Sequence, residues 1–439
     1  MNHIQTGFSS FFSKMIIGTM LAFFVYSCWN AFEGSKQFFG GSATSLTIVL
    51  SIFVILLLLL SSILQYRFTD KQFLIFLMSI TVLVRFVAIL FFDAPVIGDM
   101  RAMYETAKQV ALGSSSNIAL VSQVPFIIYE SVLIRVFGDA TFVLQLCNVL
   151  YCAGTAFFIY RIAAILFQEE CGRIAAVFYS LYLPNILSCS LLTGELFSIF
   201  LFYFASYILI HKGLSHSYIW ACAAILFALS NMMYPVGAFI LILVIVYVLL
   251  VEVFQSADKQ NVLLKLIGVL AVFYATHFGM NYGIQAMGIK QYAISNDTYV
   301  QSVLIGEQRN KQETVQAKSM KERLDQNLSE LETERLAAVK LSADRLSSEG
   351  MNGILLKGEK RIFIAVTLFM SIALLHFLIQ KQKSEGYMLL LLLIIGYIGM
   401  KLLNKDVVYS NLTIPSLFIL QSFGVYMLSF YCQRLFFKK

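Results

Sequence analysis

Residues 72–92 read QFLIFLMSITVLVRFVAILFF, and residues 93–101 continue as DAPVIGDMR. The first run is predominantly apolar and about twenty residues long, the length a helix needs to cross a bilayer core of roughly 30 Å. The second run stops it with Asp93, Pro95, Gly98 and Asp99. Runs of the first kind recur along the chain. Their lengths predict spans at 13–31, 45–65, 72–92, 141–161, 173–191, 194–211, 217–232, 235–254, 262–282, 361–380, 387–403 and 412–432. Over 439 residues, 59% are hydrophobic and only 13% charged. A soluble domain is about 25% charged, so too little charge is present to cover a soluble surface. The expectation is an all-α polytopic membrane protein with about twelve transmembrane helices.

The apolar stretch 119–137 differs, because it carries Ser122, Gln123, Pro125, Glu130 and Arg135. Polar groups and a proline are costly in lipid, which predicts a re-entrant or juxtamembrane helix. Glu130 needs a partner there, Arg135 or water. Cationic residues test the topology, since Lys and Arg accumulate in cytoplasmic loops. With twelve spans and both termini cytoplasmic, the inside segments hold Lys14, Arg67, Lys71, Arg161, Arg173, Lys212, Lys259, Lys265, Lys381, Lys383, Arg434, Lys438 and Lys439. The short outside segments hold Lys36, Arg101, Lys108, Arg135, Lys401 and Lys405. Thirteen against six favours the re-entrant reading over a thirteenth span. The net charge of +7 reflects this bias, and no basic run with interleaved aromatics points to nucleic acid.

The chain then divides into N-terminal helices (1–71), a transmembrane core (72–282) with a first outer loop (93–140), an extracytoplasmic helical loop (283–360) and C-terminal helices (361–439). Residues 313–349 lack Pro and Gly, and Met320, Leu324, Leu328, Leu331 and Leu346 recur near helical spacing. A long amphipathic helix or helical hairpin is expected, packed on the membrane domain or covering a substrate. The seven cysteines form no CxxC pair and suggest neither a zinc site nor a disulfide framework; the five histidines are scattered. The first span lacks a cleavage site and reads as uncleaved. A bacterial plasma membrane fits this chain.

Chemistry concentrates after the third span. Asp93 and Asp99 follow it at the outer membrane edge, and a short helix from Met100 to Leu112 is expected next. Partial desolvation raises the pKa of a carboxylate, which suits a general base acting on a hydroxyl group. The same residues also suit a plain helix end or cap. Asp93 and Asp99 could share a divalent cation, although two carboxylates six residues apart are weak grounds for one.

The pattern Gly98-Asp99, Tyr104, Ala107, Gly113 resembles the first extracytoplasmic loop of GT-C glycosyltransferases, notably family 39 and mannosyltransferase-like members. Gln123-Val124-Pro125-Phe126-Ile127-Ile128-Tyr129 is similar to their juxtamembrane segment, and Val136-Phe137-Gly138-Asp139 to their Phe-Gly element. Tyr182-Leu183-Pro184-Asn185 with Leu192-Thr193-Gly194-Glu195-Leu196-Phe197 resembles their paired helices, and Val303-Leu304-Ile305-Gly306-Glu307 their later outer loop. The resemblance covers about 72–432.

The resemblance implies a polyprenyl-phosphate sugar donor and inverting transfer, outside the cytoplasm, to a glycan, lipid or protein acceptor of the envelope. Asp99 would be the base, with Asp93 beside it. Arg101, Tyr104, Lys108, Gln123, Tyr129, Glu195, Arg309, Lys405 and Tyr409 would line the substrates. Envelope-biosynthesis proteins are candidate partners, and no resident metal is assigned. The chain departs from the family where arginines are common: Asn231-Met232-Met233-Tyr234-Pro235 and Val408-Tyr409 carry none. Arg101, Lys108, Arg309 and Lys405 are the outside cations that could serve the phosphate instead. Two other classes remain open. A lipid-linked glycan polymerase or ligase would need arginine-rich outer loops, and Arg309 is isolated. A lipid or glycolipid transporter would place ionisable residues or broken helices near mid-membrane, and the spans carry few charges there.

Overall fold

The computed structural model describes residues 17–18, 69–91, 98–113, 124–138, 141–214, 218–234, 238–253, 259–286, 369–377, 387–394 and 410–436. Among these the regular structure is entirely helical. In chain order the helices are α1 (Asp70–Phe91), α2 (Gly98–Ala111), α3 (Val124–Phe137), α4 (Thr141–Leu166), α5 (Glu169–Leu181) and α6 (Leu183–Ser188). They continue as α7 (Glu195–Lys212), α8 (Ile219–Met233), α9 (Ala238–Tyr247, running on as a π turn Val248–Glu252), α10 (Lys259–Ala286) and α11 (Ser410–Phe436). Residues 369–377 and 387–394 are helical as well.

Five of these are long and apolar enough to cross a membrane: α1, α4, α7, α10 and residues 414–431 of α11. The expected spans at 72–92, 141–161, 194–211, 262–282 and 412–432 correspond to them within a few residues. The spans expected at 13–31 and 45–65 lie outside the described residues but for 17–18, and the loop expected at 283–360 lies outside them but for 283–286, which are the last residues of α10. The stretch expected as one span at 173–191 is two helices, α5 and α6, joined at an extended Tyr182. Helix α3 has fourteen residues, about 21 Å of length. The stretch expected as a re-entrant or juxtamembrane helix, 119–137, is described only from Val124 onward.

Helix α4 is the centre of the bundle. It packs against α1, α5 and α7, and fourteen of its residues are buried. Its remaining face is apolar, with Phe142 and Leu150 exposed, which suits lipid better than water. Helix α10 is the opposite case. It packs on α8, and its other face leaves Leu264, Ile267 and Phe278 exposed, the surface that a bilayer would cover. At one end of the bundle the Arg173 guanidinium pairs with Asp70 and lies over the Phe73 ring, which ties the start of α5 to the start of α1.

Helix α11 contains Pro415, whose missing N–H weakens the backbone ladder. The Tyr203 hydroxyl of α7 repairs it from outside. It donates to the Leu412 carbonyl at 2.8 Å and accepts from the Ser416 N–H at 3.1 Å. Those are the two groups that an unbroken helix joins directly. Farther along α11, Gly424 lets the carbonyl of Phe369 approach; a Cβ there would stand 1.9 Å from that oxygen.

Candidate functional site

The break between α5 and α6 begins with Pro184, which sits in the first turn of α6. Proline has no N–H, so the carbonyl of Ser180, four residues back, loses its helical donor. Arg85 supplies one from mid-α1: its Nη1 donates to Ser180 O at 2.9 Å and its Nη2 to Tyr179 O at 3.3 Å. The guanidinium therefore acts as the C-terminal cap of α5, where a cation is also favoured by the helix dipole. Arg85 is 0% exposed. Its guanidinium lies 5.6 Å from the Tyr179 ring centroid and also reaches the Cys152 sulfur. Thr81, one turn earlier on α1, shares a hydrogen bond of 2.7 Å with the Ser180 hydroxyl.

The irregular backbone after α6 is held the same way, by side chains of α4. Gln145 Nε2 donates to Ser190 O at 3.1 Å. Asn148 Nδ2 donates to Leu191 O at 2.9 Å and Cys189 O at 3.3 Å. One turn farther along α4, the Cys152 thiol reaches Asn185 Oδ1 and the Cys189 sulfur, each at 3.5 Å. Non-helical backbone at membrane depth survives only where protein satisfies it, and here the two neighbours α1 and α4 do so.

The turn 189–194 delivers Glu195 as the first residue of α7, and there the other elements gather. Met100, Met103 and Ala107 of α2 pack with Ile127 of α3 and Leu191 of the turn. Tyr104 packs with Leu144, Leu192 and Tyr129. Ile284 near the end of α10 packs against Val110, Val124 and Ile128. Gly194 fits between α3 and the end of α8: a Cβ would stand 2.2 Å from the Met233 carbonyl and 3.0 Å from the Phe126 ring. Any larger residue there must displace backbone. Six segments, α2, α3, the start of α4, the turn before α7 and the ends of α8 and α10, thus meet at one end of the bundle.

Glu130 is the chemically conspicuous group there. It is 0% exposed, and neither carboxyl oxygen has a hydrogen-bond partner among the described residues. Ile127 and Ile134, three and four residues away on the same helix stripe, both pack towards α2. Arg135, its expected partner, is exposed on a different face, five residues being well off one stripe. Burial pushes the Glu130 carboxyl up to about 8, so near neutral pH it is a carboxylic acid that can donate a hydrogen bond.

The other expected residues divide plainly. Asp99 is the second residue of α2, in its first turn. Arg101 is exposed. Tyr104 is buried under the Lys108 ammonium, 4.7 Å from its ring centroid, and Lys108 also pairs with Glu105 at 3.7 Å. The Tyr129 hydroxyl meets that of Tyr151 at 2.6 Å, and the Phe197 ring stacks on Tyr151 at 4.4 Å. Glu195 is buried. Asp93, Gln123, Arg309, Lys405 and Tyr409 lie outside the described residues. No group of three or more His, Cys, Asp or Glu that could hold a metal ion occurs among the described residues. Arg85, Tyr151, Cys152 and Cys189 went unrecognised in the sequence; a single arginine inside an apolar run was the available signal. Compared with protein-family models and with curated proteins, the chain finds no match.

Proposed function

We propose that the chain is a polytopic membrane glycosyltransferase of GT-C type. In this reading it moves a sugar from a polyprenyl-phosphate donor to a hydroxyl of an envelope glycan, lipid or protein. Twelve spans with cytoplasmic termini put the reaction on the outer face of the membrane. The observation that carries the reading is the meeting of α2, α3, the turn before Glu195 and the end of α8 at one place. The first three carry motifs that resemble the family, the end of α8 is where the family's arginine is missing, and the four are scattered over more than a hundred residues of chain.

Asp99 takes the proton of the acceptor hydroxyl as its oxygen bonds to the anomeric carbon and the prenyl phosphate leaves. The departing phosphate gathers negative charge and needs donors. Glu130, held neutral by burial, adds one hydrogen bond, and Lys108 adds charge in place of the absent arginines. The test is incubation of the purified protein with a panel of radiolabelled polyprenyl-phosphate sugars, beside Asp99→Asn. Transfer or hydrolysis from one donor, lost by at least about a hundredfold in the variant, is expected. Equal turnover in the two proteins would sink the reading.

A specific observation favours a second reading, a lipid or glycolipid transporter. A discontinuous helix and a buried cation at mid-span, α5–α6 with Arg85, are features that transporters use. Reconstituted vesicles loaded with fluorescent polyprenyl-phosphate lipid distinguish the two: movement between leaflets without sugar transfer supports the transporter.

A further inference from the structure

Two cysteines lie against Arg85 in the polar seam, and neither is required by the chemistry proposed above. Cys152 comes from the middle of α4 and Cys189 from the residue that ends α6. Their sulfurs are 3.5 Å apart, both side chains are buried, and both cysteines are free thiols. Closing that gap to a disulfide needs a displacement of about 1.5 Å. The Arg85 guanidinium reaches the Cys152 sulfur, and the Tyr179 hydroxyl reaches it too. A cation beside a thiol favours the thiolate, and the thiolate is the form that attacks an oxidant. No carboxylate among the described residues accepts a hydrogen bond from this guanidinium, so its charge is free to act on sulfur.

We propose that Cys152 and Cys189 form an oxidisable dithiol whose disulfide locks the turn leading to Glu195 onto α4. The oxidant is a peroxide, small enough to enter a closed helix bundle. The Cys152 sulfur attacks one peroxide oxygen; the S–O bond forms and the O–O bond breaks. The hydroxide released takes up the proton that the Cys152 thiol gave up on ionising and leaves as water, with Cys152 as sulfenic acid. The Cys189 sulfur then attacks the Cys152 sulfur; the S–S bond forms, the S–O bond breaks, and the second hydroxide leaves with the Cys189 proton. Two thiols and one peroxide become one disulfide and two waters. Arg85 stabilises the thiolate before the first step, and a thiol reductant reverses the change. The new bond joins the grip that Gln145 and Asn148 of the same helix already hold on residues 189–191.

The wild-type protein in detergent carries its own controls: Cys222 is exposed, Cys147 half-buried, and Cys171 buried. It is treated with hydrogen peroxide, denatured, labelled with N-ethylmaleimide, digested and read by mass spectrometry. Cys152 and Cys189 should lose label together, and well before Cys171. A linked 152–189 peptide should appear, and dithiothreitol should abolish it. In Cys189→Ser, Cys152 should stop at a sulfenic acid that dimedone traps. Labelled Cys152 and Cys189 beside oxidised Cys147 or Cys222 would overturn the proposal, as would cross-links only between molecules.

Discussion

A buried arginine without a carboxylate is tolerable only if its donors are used. Arg85 uses its two terminal nitrogens, Nη1 on the Ser180 carbonyl that Pro184 leaves open and Nη2 on the Tyr179 carbonyl, while its Nε has no partner among the described residues. Arg85→Met therefore strands the Ser180 carbonyl, while Tyr179 O keeps the N–H of Tyr182. A loss of about 1–3 kcal/mol per stranded buried group is expected, read as a lower midpoint in thermal unfolding of the purified protein. Arg85→Lys should fall between the two, since one ammonium cannot match the planar fork at both carbonyls. Glu130 gives a prediction with a defined sign. Its carboxyl titrates at about 8 instead of 4.5, so the fold favours the neutral form. The stability that this lends is complete below about pH 4.5 and is lost as pH rises through about 8. Glu130→Gln stays neutral throughout, so its melting temperature should overtake that of the wild type progressively across this window. Parallel curves for the two proteins would show that the carboxyl is already ionised or reaches water.

At the scale of elements, two helix defects are mended by neighbours. In α11 the mend is a single hydroxyl, so Tyr203→Phe should cost about 1–3 kcal/mol by leaving the Leu412 carbonyl and the Ser416 N–H without it. A double-mutant cycle with Pro415→Ala tests the account: the coupling should be non-zero, because alanine restores a donor to the ladder. Gly194→Ala probes the meeting of α3, α7 and α8. Its Cβ would press on the Met233 backbone at 2.2 Å, so loss of folded protein in size-exclusion chromatography is expected. Run length was a sound guide to α1, α4, α7 and α10, because a bilayer demands continuous apolar stretches and the sequence displays them directly. It was a poor guide at 173–191, where the apolar character continues across a backbone break. Pro184 was the visible signal, but the donor that makes the break tolerable is on another helix. Glu130 was legible as a residue needing a partner, and its actual neighbours on α2 and in the turn were not. Those contacts join segments whose separation carries no periodic trace.

At the scale of the whole molecule, the proposed topology makes a prediction independent of catalysis. An epitope tag inserted in 283–360 should be labelled by antibody on intact cells after removal of the wall, and a tag at the C-terminus only after permeabilisation. The reverse pattern would place the α2–α3 end of the bundle in the cytoplasm and remove the outer-face reaction. The site was legible in part for a related reason. The resemblance drew attention to Gly98–Gly113, Gln123–Tyr129 and Leu192–Phe197, and of their residues Met103, Ala107 and Ile127 pack in one cluster and Tyr104, Tyr129 and Leu192 in another. The Arg85 seam behind them was not legible, because its acceptors are backbone carbonyls, which any residue supplies.

That seam has a consequence for how the protein is made. Helix α1 leaves the translocation machinery before its partner exists, since Ser180 lies 95 residues after Arg85. Until α5 emerges, the charged side chain has within α1 only the Thr81 carbonyl, at 3.4 Å, to bind. An arginine at the centre of a lone helix opposes insertion by about 2.5–3.5 kcal/mol. Helix α1 is also the most apolar of the five candidate spans. Its surplus of Leu, Ile, Phe and Val secures it in lipid during the wait, and the arrival of α5 then retires the debt in a single docking event during biogenesis.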